Sequence, residues 1–175
     1  PHLAIDLRLN EQLADVVAEK VDVGVRIGHL DNPGFVARTV GRVPFFVVAT
    51  PARLRKSGRP MTVADLQGLP VTALINANTG RAWPWVFSNN RQFHPSTPAF
   101  CTDDPESECE AVLSGVGFGQ LPGYLALPYL RRGKLVPVLE DAAPPPWDVH
   151  VFRPKRTPTP ARVRLVFDTL VDALS

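Results

Sequence analysis

The chain has 175 residues, 45% of them hydrophobic and 21% charged, with a formal net charge of +2, a composition that suits a globular protein of one large or two small lobes. No apolar run approaches the ~18 residues of a membrane span, and the N-terminus lacks the basic-then-apolar layout of a signal peptide, so a cytoplasmic location with no membrane partner is expected. Lys and Arg are scattered except at Arg53-Leu54-Arg55-Lys56 and Lys155-Arg156, which read as solvated surface rather than a nucleic-acid patch.

In chain order, Leu3, Ile5, Leu7 and Leu9 alternate with polar or small residues and predict a strand with one apolar face. Asn10 then caps a predicted helix in which Leu13, Val16 and Val17 share a face. The stretch Val21-Asp22-Val23-Gly24-Val25-Arg26-Ile27-Gly28 predicts a buried strand ending in a glycine turn. In an open α/β sheet ligands bind beyond the carboxyl ends of strands, which makes Arg26 a candidate ligand residue; the competing reading pairs it with an acid such as Asp22. Strands are predicted over 35–40 and 44–49, joined by Gly41-Arg42-Val43, with Pro51 ending the second.

Further strands are expected at 71–75, 85–87 and 99–101, with Trp83 and Trp85 on one strand face. Asp104-Pro105-Glu106 opens a helix whose apolar stripe is Cys109, Val112 and Leu113 and which Gly115 terminates. A strand at 118–121, a short helix at 124–130 and a strand at 135–139 follow. Pro144-Pro145-Pro146 reads as a stiff connector to a strand at 149–152 and a last helix, capped by Thr159, with an apolar stripe running from Val163 to Leu174. Alternating strands and helices argue for α/β layers.

Catalytic motifs are absent. Gly115-Val116-Gly117-Phe118-Gly119 follows a helix and enters a strand, the reverse of a dinucleotide fingerprint, and the four histidines have no metal spacing. Asp103, Asp104, Glu106, Glu108 and Glu110 crowd a helix start, where acids are stabilising without an ion, and Glu108 points away from the face that Glu106 and Glu110 share. Thr102-Asp103-Asp104 either caps that helix or offers its N-terminus to an anion or hydroxyl. A binding protein without cofactor or metal is the reading these residues support.

Several segments, in order, resemble the effector-binding domain of LysR-type transcriptional regulators: Pro1 to Leu7, Leu13 to Glu19, Val21 to Gly28, Ala37-Arg38, Val47 to Pro51, Thr62 to Leu66, Cys101 to Asp104, Ser114 to Pro122, Gly133 to Leu139 and Val151 to Pro154. The resemblance spans nearly the whole chain. It implies an α/β fold of two Rossmann-like lobes, periplasmic-binding-protein-like (type II), lacking that fold's first strand and helix. Residues 1–70 with 147–175 would form one regulatory subdomain and 71–146 the other, with the DNA-binding helix-turn-helix outside this chain.

The resemblance also implies a small-molecule effector, a carboxylate among the candidates, held in a cleft between the lobes. Its lining maps to Arg26, Ile27, Gly28, Thr72, Thr102, Asp103, Phe118 and Gly119. It further implies self-association as a dimer or tetramer, with DNA reached only through the absent domain. A solute-binding protein or a binding-protein-like enzyme of the same architecture is the alternative. Peroxide-sensing members carry two cysteines at a similar separation, but Cys101 and Cys109 stand in a different register and read as inert core thiols.

Overall fold

The computed structural model describes residues 3–9, 21–30, 32–76 and 79–175. In chain order it contains strands β1 (Gly24–Ile27), β2 (Phe35–Val43) and β3 (Phe45–Ala49), helix α1 (Pro51–Ser57), and strands β4 (Thr72–Asn76), β5 (Arg81–Ala82), β6 (Trp85–Val86), β7 (Gln92–Phe93) and β8 (Phe100–Thr102). Helix α2 (Pro105–Leu113), β9 (Gly119–Pro122), α3 (Gly123–Arg131), β10 (Val136–Val138), β11 (Trp147–Pro154) and α4 (Ala161–Leu174) complete it. Among the described residues no helix is long and apolar enough to cross a membrane.

The chain divides into two compact units, residues 1–43 with 147–175 and residues 44–146. The first junction therefore falls at Val43-Pro44, not after residue 70 as the resemblance implies. The reason is pairing: β3 lies between β10 and β9, so segment 44–70 is bound into the second unit.

In the first unit β11 is the central strand, antiparallel to β1 on one side and to β2 on the other. Helix α4 covers this sheet because Phe167 packs with Val40 and Val151, Leu170 and Val171 completing the seam, and Val163, four residues before Phe167, is buried as well. Thr159 does not cap α4; its hydroxyl donates to Arg156 O (3.0 Å) and accepts from Arg153 (3.2 Å), while Pro160 holds the cap position. Phe152 packs on Phe35 with ring centroids 5.0 Å apart. A Cβ at Gly24 would lie 2.4 Å from Cζ of Phe152, which is why a glycine interrupts the valine alternation of β1. The strand is less buried than its sequence suggests, since Val25 is 50% exposed.

Residues 3–9 form no regular element and are exposed throughout, contrary to the expected strand. Alternation alone does not make a strand; among the described residues no neighbour pairs with these. The helix expected over 13–19 and its cap Asn10 lie outside the described residues.

In the second unit β3 is sandwiched. Val47 and Ala49 join Leu66, Val71, Trp85, Phe87, Phe93 and Phe118 on one face, while Val48 meets Cys109, Val112, Leu121, Ala126 and Leu135 on the other. A second sheet runs β5-β4-β8, with β4 and β8 parallel, and a bridge from Val71 to Phe118 ties it to β9. Trp85 is buried on β6 against Phe93, whereas Trp83 falls between strands and is 46% exposed, so the two indoles do not share a face.

Sequence reasoning missed α1, reading Pro51 only as a strand breaker. Thr50 accepts the Arg53 amide (3.2 Å) and Pro51 occupies the first helical position, both helix-start signals. Arg53 is not simply solvated: its guanidinium donates to the carbonyls of Gly115 and Val116, just beyond the end of α2.

Candidate functional site

In the first unit the candidate residues lie where β1 ends. Gly28 has φ +95°, a conformation glycine adopts without strain, and its amide donates to Asp148 O (2.9 Å). A Cβ there would approach the Trp147 ring to 3.2 Å, so the turn is both left-handed and closely packed. Arg26, half-buried and opposite His150 on β11, donates through Nε to the His29 carbonyl (3.1 Å). Asp22, the acid considered as its partner, pairs instead with Arg156 at 3.2 Å. Arg26 is thus held across the turn that Gly28 makes.

In the second unit Thr102 ends β8 and Asp103 leads on toward α2. Thr102 Oγ1 accepts the Asp104 amide (3.0 Å), and Asp104 caps α2 by accepting from both the amide (2.8 Å) and the hydroxyl (2.5 Å) of Ser107. The Ser107 hydroxyl and amide hold the Asp104 carboxyl below its usual range. Capping therefore accounts for Asp104 and leaves the exposed Asp103 carboxylate and the half-buried Thr102 at the strand end.

The other three expected site residues belong to the core. Thr72 and Phe118 are both 0% exposed, and a Cβ on Gly119 would meet Val112 Cγ2 at 2.5 Å and Thr72 Oγ1 at 2.9 Å. The resemblance implied a ligand role for them; here a bridge joins Val71 to Phe118 and the three positions are buried. Sequence reasoning also missed Glu108, a carboxyl 1% exposed whose Oε1 accepts from Thr72 Oγ1 at 2.6 Å. Burial pushes it up to about 7. The signal was available: Glu108 stands four residues before Val112 and shares its inward face.

A depression of about 530 Å³ beside α2 has Phe100, Ala111 and Val116 in its lining and Asp104, Glu106 and Glu110 around them. Neither Thr102 nor Asp103 lines it.

The cysteines differ from each other. Cys109 is buried, and burial together with Glu110, Glu108 and Glu106 pushes its thiol up to about 11; Cys101 is exposed, contrary to the expectation of two core thiols. Parallel pairing with β4 leaves Cys101 on an edge strand. Iodoacetamide is expected to alkylate Cys101 in the folded chain and to spare Cys109, read by mass spectrometry of the digest; equal labelling would show that α2 opens readily.

The sequence profile described as the LysR substrate binding domain matches residues 1–175. The chain belongs to that family. Among its relatives, the HTH-type transcriptional regulator CrgA of Neisseria meningitidis serogroup C (strain 8013) is 27% identical over 177 residues, covering 99% of this chain and 58% of CrgA. An uncharacterized HTH-type transcriptional regulator of Haemophilus influenzae is 26% identical over 165 residues, covering 93% of this chain and 57% of its own length. The chain thus spans well under two thirds of these relatives. The solved regulatory domain of CrgA superposes with a TM-score of 0.78 at 25% identity, covering 95% of this chain and 81% of that one. The regulatory domain of AphB from Vibrio vulnificus shares the fold, with a TM-score of 0.79 at 22% identity, covering 97% and 83%. The mixed α/β, periplasmic-binding-protein-like fold expected from sequence is the fold of this family.

Proposed function

We propose that this LysR substrate-binding domain senses a small molecule without transforming it, and that the two units act as its regulatory subdomains. The observation that carries the reading is the match of the whole chain to the family, whose relatives here are transcriptional regulators. Recognition would fall to the polar groups at two strand ends, Arg26 with Ile27 and Gly28 in the first unit, and Thr102 with Asp103 in the second. A guanidinium favours an anionic ligand, a carboxylate being the simplest. Ligand binding changes the populations of conformers by differential affinity, and a DNA-binding segment of the longer protein would report that change. The exposed apolar side chains of Leu3, Ile5, Leu7 and Leu9 support self-association as part of the same reading.

A thermal-shift screen of aromatic and aliphatic carboxylates is expected to yield a stabilising ligand. A hundredfold excess over Kd contributes about 2.7 kcal/mol. Arg26→Ala should weaken an anionic hit by roughly 1.5–3 kcal/mol, the worth of a charge-assisted hydrogen bond, and Thr102→Met should reduce it by occupying the strand end. A hit unchanged by both substitutions would overturn the assignment of these residues.

A further inference from the structure

Glu108 lies in the second turn of α2 with its carboxyl against β4, and among the described residues it has no cationic partner. Helix α2 packs on β3, β4, β8, β9 and α3. The four strands carry no Asp, Glu, Lys, Arg or His; their one titratable group is Cys101 on β8. Helix α3 contributes Tyr124, Tyr129 and Arg131, and α2 itself carries Glu106, Cys109 and Glu110. Arg53, the cation that does reach α2, binds carbonyls past its far end. The seam is also tight, since at Gly119 it lacks room for one more methyl group beside Val112 and Thr72.

Proton counting then distinguishes two states of this cluster. Thr72 Oγ1 lies 2.6 Å from Glu108 Oε1 and 3.3 Å from Phe118 O, and its hydroxyl has one hydrogen for two acceptors. With Glu108 ionised, that hydrogen goes to the carboxylate, and a negative charge stays buried with no cation to balance it. With Glu108 protonated, the carboxyl O–H donates to Thr72 Oγ1, and the threonine hydroxyl turns to Phe118 O. The Thr72 hydroxyl then both accepts and donates, adding to the bond that Phe118 O already receives from the Thr72 amide (2.8 Å), and no charge is buried.

We propose that Glu108 and Thr72 form a proton-operated latch between α2 and β4, closed when Glu108 is protonated and loosened when it ionises, which makes the second unit pH-responsive. Burial raises the Glu108 carboxyl from its ordinary 4.5 to about 7. A folded-state pKa above the unfolded one means that the fold binds the proton. The stabilisation is therefore complete below about 4.5 and lost as pH rises through about 7.

The test is a carbon-13 titration of the glutamate carboxyls in the intact 175-residue chain, with melting curves for the same chain and for Glu108→Gln. The Glu108 carboxyl should titrate with a midpoint near 7. The melting temperature of the unaltered chain should fall by roughly 6–10 °C between about pH 5 and about pH 8 more than that of Glu108→Gln, whose amide donates to Thr72 at every pH. A Glu108 midpoint in the ordinary carboxylate range, or parallel melting profiles for the two chains, would overturn the latch. If Glu108→Gln fails to fold, the titration of the unaltered chain decides alone.

Discussion

Phe118→Ala is expected to destabilise the second unit by about 3–5 kcal/mol, the usual cost of deleting a fully buried aromatic ring. Phe118 is 0% exposed among Val71, Trp85, Phe87 and Phe93, and its backbone is fixed on both sides, the amide donating to Pro70 O (2.9 Å) and the carbonyl accepting from Thr72 (2.8 Å). The framework cannot collapse onto the vacated space, which places the loss toward the upper end of that range. Urea unfolding followed by tryptophan fluorescence, with Trp147 replaced by Phe so that only Trp83 and Trp85 of the second unit report, would measure it. A change below about 1 kcal/mol, together with loss of ligand binding, would return Phe118 to the role of a ligand residue.

Phe152→Ala should cost the first unit a similar amount, about 3–5 kcal/mol, since the ring is 4% exposed and packs between Phe35 and the gap above Gly24. Gly24→Val alone should also destabilise, by about 1–3 kcal/mol, because its side chain would invade the ring. The double variant should cost less than the sum of the two, as the valine enters the space the phenylalanine leaves. Strict additivity in chemical denaturation would mean that Gly24 is required for its backbone and not for the room it gives.

Much of the second unit could be read in the sequence because its signals are local. Asp104 with Pro105 and Gly115 bracket α2 with cap chemistry, and the stripe from Val163 to Leu174 did the same for α4 in the first unit. Residues 3–9 failed for the complementary reason: their alternation records which face would be buried and carries no information about a partner strand. The geometry of the candidate site was legible only in part. Arg26 and Gly28 announce themselves through strand alternation and the need for a positive φ, whereas the burial of Thr72, Phe118 and Gly119 depends on a bridge from Val71 to Phe118, 47 residues away. Glu108 was hidden by its neighbours, since five acids in one stretch look alike until the helix turns one of them inward.

The two junctions at Val43-Pro44 and Pro146-Trp147 set an order of assembly during synthesis. The second unit is one continuous stretch and leaves the ribosome ahead of β11. The first unit cannot close its sheet until then, because among the described residues β1 and β2 are joined only through β11. A nascent chain therefore completes the inserted unit while the outer one still waits for its keystone, and β1 and β2 keep unpaired edges throughout that interval.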